Sequence, residues 1–158
     1  MTFQNGINAP SERYGNGIKY ISVMDILNNT YITYDRIKGL VDIDTQTLRN
    51  FSVEYGDIVF QRSSETPEDI GRSNVYLDEK IAAFGGFVIR GKRKGNYDPL
   101  FLKYLLDSRT ARKEIVRMGQ GAQHYNIGQE GLRSIALFFP TEEEQHSVLK
   151  PQFPKDSR

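Results

Sequence analysis

The sequence contains no cysteine, only two histidines and no long apolar run. Without cysteine, disulfides and thiolate metal sites are excluded, and nothing indicates secretion. His124 and His146 are too few and too far apart to predict a metal site, and no motif predicts a cofactor. No stretch approaches the roughly 18 apolar residues of a membrane span, and the N-terminus lacks the apolar core of a signal peptide. We therefore expect a cytoplasmic protein with no membrane partner.

The composition is that of one ordinary globular domain, with 158 residues, 38% hydrophobic and 26% charged. The 21 basic and 20 acidic residues nearly cancel, but they are unevenly distributed. Two basic clusters stand out, formed by Arg90, Lys92, Arg93 and Lys94 and by Arg109, Arg112, Lys113 and Arg117. Such clusters favour a face that contacts a polyanion, and ordinary surface scatter is the alternative explanation.

The most informative stretch is residues 56–72, GDIVFQRSSETPEDIGR. A Gly-Asp turn precedes an apolar run at residues 58–60, which is typical of a buried strand. The strand leads into a polar loop whose recognition candidates are Gln61, Arg62, Ser63 and Arg72. Gln and Arg pair well with adenine and guanine edges in the DNA major groove, so the loop suits base recognition. A hairpin with a solvated connection is the alternative.

Around this stretch, the pattern predicts strands at residues 18–23, 74–77 and 82–89, with a short helical turn at 24–27 capped by Ser22. Gly85 and Gly86 inside the third strand indicate a bulge or a close backbone approach. The clearest helix covers residues 99–118, because Asp98 is a good N-cap and Pro99 suits the first helical position.

The basic residues of that helix lie four apart, at positions 109, 113 and 117. They suit phosphate contact, and they also suit the dipole at the C-terminal end of a helix. A glycine-punctuated loop follows at residues 119–131, and its hydrogen-bonding candidates are Gln120, Gln123, His124, Tyr125 and Asn126. A strand is predicted at residues 132–139. Thr141 and Glu144 then have the spacing of a capping box that opens a second helix.

Two short motifs admit a catalytic interpretation. DPLF at residues 98–101 superficially resembles the Asp-Pro-Pro-Phe motif of adenine methyltransferases, but the second proline is missing and a helix start explains it. Asp69, Asp78, Glu79 and Lys80 resemble the carboxylate and lysine set of metal-dependent nucleases, whose carboxylates must converge on Mg²⁺. Solvated surface charge explains this set too. We predict that the chain is not an enzyme.

Four segments taken in order carry a resemblance to a known family. They are NGINAP…YGNGIKYISVMDI (5–26), GDIVFQRSSETPEDIG (56–71), DPLFLKYLLDSRTARKEI (98–115) and GQGAQHYNIGQEGLRSIALFFPTEEEQ (119–145). Together they resemble the target recognition domain of the DNA specificity (S) subunit of type I restriction-modification systems. Ala9 departs from the family by standing before Pro10 in place of the usual threonine.

The resemblance implies an α/β (α+β) fold, a single globular domain with a twisted, mostly antiparallel sheet flanked by helices. Residues 1–145 would form the recognition domain, and residues 146–158 the truncated start of the spacer helix, which Pro151 interrupts. Such domains read one half of a bipartite double-stranded DNA site and are not catalytic. The implied partners are methyltransferase (M) and restriction (R) subunits, although the truncation puts their docking in doubt for this chain.

Combining the resemblance with residue chemistry gives a candidate DNA-binding set. Six residues are predicted to neutralise phosphates: Lys92, Arg93, Lys94, Arg109, Lys113 and Arg117. Nine are predicted to contact base edges or the groove: Gln61, Arg62, Ser63, Arg72, Gln120, Gln123, His124, Tyr125 and Asn126. The alternatives are a metal-dependent nuclease-like DNA enzyme, and a protein-interaction remnant that does not bind DNA.

Overall fold

The computed structural model describes residues 1–121, 124–135, 140–141 and 143–144. Within these ranges the strands are β1 Thr2–Asn5, β2 Tyr14–Ile21, β3 Leu40–Val41, β4 Ser52–Val53, β5 Ile58–Gln61, β6 Ser63–Ser64, β7 Ser73–Val75, β8 Ala82–Phe84, β9 Val88–Lys92 and β10 Tyr125–Asn126. The α-helices are α1 Val23–Asn28, α2 Thr45–Asn50, α3 Pro99–Asp107, α4 Arg109–Arg117 and α5 Gln129–Arg133. No helix in the described part of the chain is long and apolar enough to cross a membrane.

The predicted buried strand is β5, at the centre of an antiparallel sheet with the order β1-β9-β5-β7. Its residues face two different cores. Ile58 and Phe60 pack with α3 and α4, whereas Val59 packs on the opposite side with a second sheet. Because both faces of β5 are covered, its side chains form a continuous apolar run rather than an alternating pattern.

The second sheet has the order β3-β2-β8-β4, in which only the β2–β8 pairing is parallel. The fold class is therefore confirmed as α+β and mostly antiparallel, although the described strands form two four-stranded sheets and a two-stranded one, β10-β6, rather than a single sheet. The single strand predicted at residues 82–89 is wrong, because β8 and β9 belong to different sheets. The chain crosses between them at Gly85, where a Cβ on Gly6 would lie 2.0 Å from the Gly85 carbonyl oxygen. This is the close backbone approach that the two glycines indicated.

The helix predicted over residues 99–118 is two helices. Asp98 caps α3 as expected, since its Oδ1 accepts hydrogen bonds from the backbone N–H groups of Leu100 (2.9 Å) and Phe101 (3.2 Å). Ser108 adopts an extended backbone with ψ of 153°, and its Oγ accepts from Ala111 N–H at 3.3 Å. Ser108 thus ends α3 and caps α4, because its side chain competes with the helical backbone bond.

Of the C-terminal predictions, one is confirmed and one is partly wrong. Leu132 and Arg133, assigned to a strand by the sequence pattern, lie in α5. The capping box is present, since Thr141 N–H donates to Glu144 Oε2 (2.9 Å) and Glu144 N–H donates to Thr141 Oγ1 (3.3 Å). Residues 136–139 and 146–158 lie outside the described residues, so the expected boundary near residue 145 stays a prediction.

Candidate nucleic-acid interface

The two polar loops that the sequence singled out meet in one β-ribbon. β6 pairs antiparallel with β10, with Ser63 opposite Asn126 and Ser64 opposite Tyr125. Gln120 extends the ribbon by exchanging two backbone hydrogen bonds with Asn126, at 2.9 and 2.8 Å. We call residues 62–64 and 120–126, where described, the recognition ribbon. Gln123 lies outside the described residues.

A side-chain hydrogen bond joins the two strands of the recognition ribbon. Ser63 Oγ donates to Asn126 Oδ1 at 2.6 Å, and Asn126 is exposed. This bond fixes the orientation of the carboxamide, and it uses neither the Nδ2 donors nor the second lone pair of Oδ1. A donor beside an acceptor is the pattern that asparagine presents to the N7 and N6 atoms of adenine.

Arg62 stands at the edge of the ribbon beside the β8–β9 crossover. Its Nη1 donates to the Gly86 carbonyl at 3.1 Å, and its own carbonyl accepts from Ile127 N–H at 2.9 Å. Arg62 also lines an open cleft of about 820 Å³ together with Gln120, Asn126, Asn5 and residues of α5. A guanidinium held in a fixed direction is suited to bidentate contact with a base or phosphate.

Asn5 is a cleft residue that sequence reasoning did not assign to DNA binding. It ends β1, far from the ribbon in sequence, and its Oδ1 accepts from Gln129 Nε2 at 3.3 Å. The bond ties the N-terminal strand to α5 across the cleft. The signal available in the sequence was that the first family-like segment begins at Asn5.

Two of the predicted base-reading residues are not on this surface. Gln61 is only 6% exposed, and its Nε2 donates to the Ser63 carbonyl at 2.9 Å. The structure therefore places Gln61 behind the recognition ribbon, as a support. Arg72 forms an ion pair with Asp69 (3.3 Å) and lines a different cleft, which also contains Lys103 and Asp107. His124 is exposed in the ribbon, whereas Tyr125 packs partly into the core beneath it.

Most side chains of the first basic cluster, residues 90–94, make contacts within the domain. Lys92 Nζ lies 2.5 Å from Glu54 Oε2, and Arg93 Nη2 donates to the Tyr97 carbonyl at 2.6 Å. Arg90, also in this cluster, donates to Gln4 Oε1 at 2.7 Å. Lys94 is exposed.

This first cluster also lies far from the ribbon. The β5–β9 register pairs Ile58 with Gly91 and Gln61 with Val88. The same register places Lys92 opposite Asp57, five residues before Arg62, so Lys92 and Arg62 are separated by about 17 Å of strand. The structure does not bring Lys92, Arg93 and Lys94 together with the recognition ribbon.

The second basic cluster adjoins the ribbon, because α4 ends at Arg117, three residues before Gln120. Arg109 and Lys113 are exposed, and Arg117 pairs with Glu114 at 2.7 Å while its side chain stays 68% exposed. α4 is fixed in place by Ile115, which packs with Ile127 beneath the ribbon.

Arg112 has a structural role that sequence reasoning missed. Its Nη2 donates to the Glu68 and Ile70 carbonyls, both at 2.7 Å, and so attaches α4 to the turn after the ribbon. Burial lowers the pKa of the Arg112 guanidinium, which stays charged at neutral pH. The polar loop at residues 65–72 is thereby held against the helix.

The proposed nuclease carboxylates do not converge. Asp69 accepts from Thr66 Oγ1 at 2.8 Å, and this hydrogen bond, followed by Arg72, lowers the pKa of its carboxyl. Asp78 accepts from the backbone N–H groups of Tyr34 (2.8 Å) and Lys80 (3.1 Å) in a different loop. Across the ranges that the structure covers, no three histidine, aspartate or glutamate side chains form a metal-binding group.

Comparison with known proteins gives structural matches only. No family model and no curated protein sequence matches the chain. A structure from work on complex assembly and conformational transition of the type I R-M system aligns with a TM-score of 0.66 and 16% identity, over 94% of this chain and 34% of its own. The chain shares the fold of about a third of that structure.

Two further structures agree with this match. The HsdS subunit from Thermoanaerobacter tengcongensis aligns with a TM-score of 0.64 and 15% identity, over 94% of this chain and 33% of that one. The type I restriction-modification S subunit from M. genitalium aligns with a TM-score of 0.60 and 15% identity, over 94% and 34%. The resemblance found in the sequence is thus confirmed at the level of fold. This chain spans about a third of the length of these structures.

Proposed function

We propose that this chain is a target recognition domain that binds double-stranded DNA and reads one half of the bipartite site of a type I restriction-modification system. In this role it is a non-catalytic specificity component. Methyltransferase and restriction subunits would carry out the chemistry at the site that the domain selects. The S-subunit fold supports this role, and the recognition ribbon is the observation that carries it.

Within the ribbon, the proposed base contacts are Arg62, Gln120, His124 and Asn126. Asn126 is the strongest of them, because Ser63 holds its amide in a fixed orientation at the surface. A group that is already oriented loses less side-chain freedom on binding, and a bidentate Asn–adenine pair contributes about 1–3 kcal/mol of discrimination. We assign Arg62 to guanine for the same reason, because its guanidinium is tied to the Gly86 carbonyl.

The proposed phosphate contacts are the exposed basic residues of α4, Arg109, Lys113 and Arg117. Arg117 ends α4 three residues before Gln120, and Lys113 and Arg109 lie about one and two turns back along the helix. A duplex on the ribbon would contact Arg117 first and then extend along the helix toward the other two. Phosphate contacts supply affinity without sequence preference, and base contacts supply the preference. The two groups therefore predict different mutant phenotypes.

The test is selection from a random duplex library at low salt, with the domain displayed in several copies for avidity. We expect enrichment of one short asymmetric motif, of a few base pairs. Asn126→Ala should lose the preference at one adenine of that motif. The control is Lys94→Ala, which also truncates an exposed side chain but far from the ribbon, and selection with it should enrich the same motif as wild type. DNA retention without any motif, or no retention, would contradict the proposal. In the second case, protein partners become the better explanation.

A further inference from the structure

Phe87 is the most exposed of the large hydrophobic side chains that the structure describes as exposed, with 70% of its surface accessible. It lies between β8 and β9, where the chain crosses from one sheet to the other. Phenylalanine is a residue that folding normally buries, and here it has no hydrogen-bonding group to satisfy at the surface. Single exposed apolar side chains are common on protein surfaces, so a role for Phe87 depends on its neighbours.

The backbone that carries Phe87 is held on both sides. Gly85 N–H donates to the Ile21 carbonyl at 2.9 Å, and Val88 N–H donates to the Gly85 carbonyl at 3.0 Å. Gly86 is confined by Asn8, since a Cβ at Gly86 would lie 2.1 Å from Asn8 Oδ1. Phe87 is thus presented from a fixed turn rather than from a loose loop.

Phe87 is also the direct neighbour of Arg62. The β5–β9 ladder ends at the pairing of Gln61 with Val88, and one further backbone hydrogen bond follows it, from Arg62 N–H to the Phe87 carbonyl at 2.9 Å. Arg62 Nη1 also donates to the carbonyl of Gly86, the residue before Phe87, at 3.1 Å. The Arg62 guanidinium is therefore held against the turn that carries the exposed Phe87 ring, beside the recognition ribbon.

A guanidinium close to an exposed aromatic ring suits contact with the major groove of a duplex. Arginine contacts guanine there, and an apolar side chain such as phenylalanine contacts the C5-methyl group of thymine, the only apolar group that the base edges present. On the basis of the proposed DNA-binding function, we propose that Phe87 is a further residue that determines sequence specificity. It packs on a thymine methyl adjacent to the base pair that Arg62 contacts.

The experiment compares wild type, Phe87→Ala and Tyr55→Ala on duplexes that carry the selected motif. Each thymine is replaced in turn by uracil, which removes only the methyl group. At one position the replacement should weaken wild-type binding about four-fold, the effect of losing one buried methyl group. The same replacement should leave Phe87→Ala binding unchanged.

Tyr55→Ala is the matched control, since Tyr55 is also an exposed aromatic (45%) and precedes the opposite end of β5. It should respond to uracil as wild type does. Thermal unfolding should be similar for all three proteins, because neither ring is buried.

The outcomes separate the two proposals. If wild type enriches no motif, the proposed function and this inference both fail. If wild type enriches a motif but Phe87→Ala responds to every uracil substitution as wild type does, only the inference about Phe87 fails. Loss of binding to a methyltransferase subunit with unchanged DNA recognition would also overturn it. Phe87 and Met24 would then mark a protein contact at the apolar cleft of about 650 Å³ that they line.

Discussion

Ser63 and Asn126 lie 63 residues apart in sequence, and their side chains share a hydrogen bond of 2.6 Å on the surface. Neither residue belongs to a long element, since β6 and β10 have two residues each. The bond therefore joins two loops whose relative position local sequence cannot specify. Its consequence is a single polar ribbon, with Arg62 at one edge and the basic helix α4 beside it.

If Ser63 orients Asn126 for adenine, removing the hydroxyl should weaken recognition without abolishing it. We expect Ser63→Ala to reduce discrimination at the Asn126 position by about 0.5–1.5 kcal/mol, the value of one hydrogen bond. Asn126→Ala should cost more, about 1–3 kcal/mol. The measurement is fluorescence-anisotropy titration of duplexes with each base at that position.

The control is Ser64→Ala in the same strand. Ser64 Oγ accepts from Thr66 N–H at 3.2 Å and therefore makes a local bond outside the Ser63–Asn126 pair. Equal effects of Ser63→Ala and Ser64→Ala would show that the ribbon as a whole, and not the orientation of Asn126, sets the preference.

The basic face of α4 predicts a salt effect that is independent of sequence. Replacing Lys113 by glutamine should lower the slope of log K against log salt by about 0.9, the value for one phosphate contact, and should weaken all duplexes alike. Lys94→Gln also removes one positive charge, but beyond the end of β9 that lies far from the ribbon. The slope of log K against log salt for this variant should stay at the wild-type value. A fall in both slopes would mean that DNA also covers the first basic cluster.

The features that the sequence predicted best are those that depend on residues close together in the chain. The Asp98 cap, the Ser22 cap of α1 and the buried strand β5 depend on contacts within a few positions, and all three are present. For Ser22, the capping box is completed by Asp25, whose Oδ2 accepts from Ser22 N–H at 2.8 Å. The order of the family-like segments added the overall fold, which no single motif determines.

What sequence missed depends on contacts between distant residues. Gln61 has the chemistry of a base-reading residue, but the pairing of β5 with both β7 and β9 buries it. Arg93 and Lys92 have the charge of phosphate contacts, but Tyr97 and Glu54 engage them. Ser108 falls inside the single helix predicted over residues 99–118, yet it caps a new helix instead. In each case the side chain has the predicted chemistry, but its contacts in the folded protein give it a different place.

Arg112 predicts a stability effect that its exposed neighbours should not show. Arg112→Met removes two charge-assisted hydrogen bonds to the Glu68 and Ile70 carbonyls. Hydrogen bonds to charged groups contribute about 1.5–3 kcal/mol each, and solvent can compensate the more exposed Glu68 carbonyl, so we expect a loss of about 2–4 kcal/mol. Lys113→Met on the same helix should change the free energy of unfolding by less than about 0.5 kcal/mol.

The measurement for this pair is urea denaturation followed by circular dichroism, with the slope of the transition compared between variants. A result of under about 0.5 kcal/mol for Arg112→Met would contradict the structural role of this side chain. Its basic charge would then belong with the phosphate contacts of α4.

Gly71 packs against Ile115 of α4 and Ile127 beneath the ribbon, so a side chain at this position should affect both. Its φ is +64°, and a Cβ there would lie 2.5 Å from Ile115 Cγ2 and 3.7 Å from Ile127 Cδ1. Gly71→Ala should therefore carry two costs, the left-handed backbone, about 1–2 kcal/mol, and the displacement of Ile115 from a close-packed core, about 1–3 kcal/mol.

Gly95→Ala separates these two costs, because Gly95 has a φ of +85° and a Cβ there would meet no heavy atom within 4 Å beyond its chain neighbours. Thermal and urea unfolding should show Gly71→Ala to be the less stable by the steric cost alone. Since Ile115 and Ile127 support α4 and the ribbon, Gly71→Ala should also weaken DNA binding at temperatures where it is folded, while Gly95→Ala should not. Equal unfolding free energies for the two variants would mean that Ile115 yields without cost, and that the ribbon is not held by this contact.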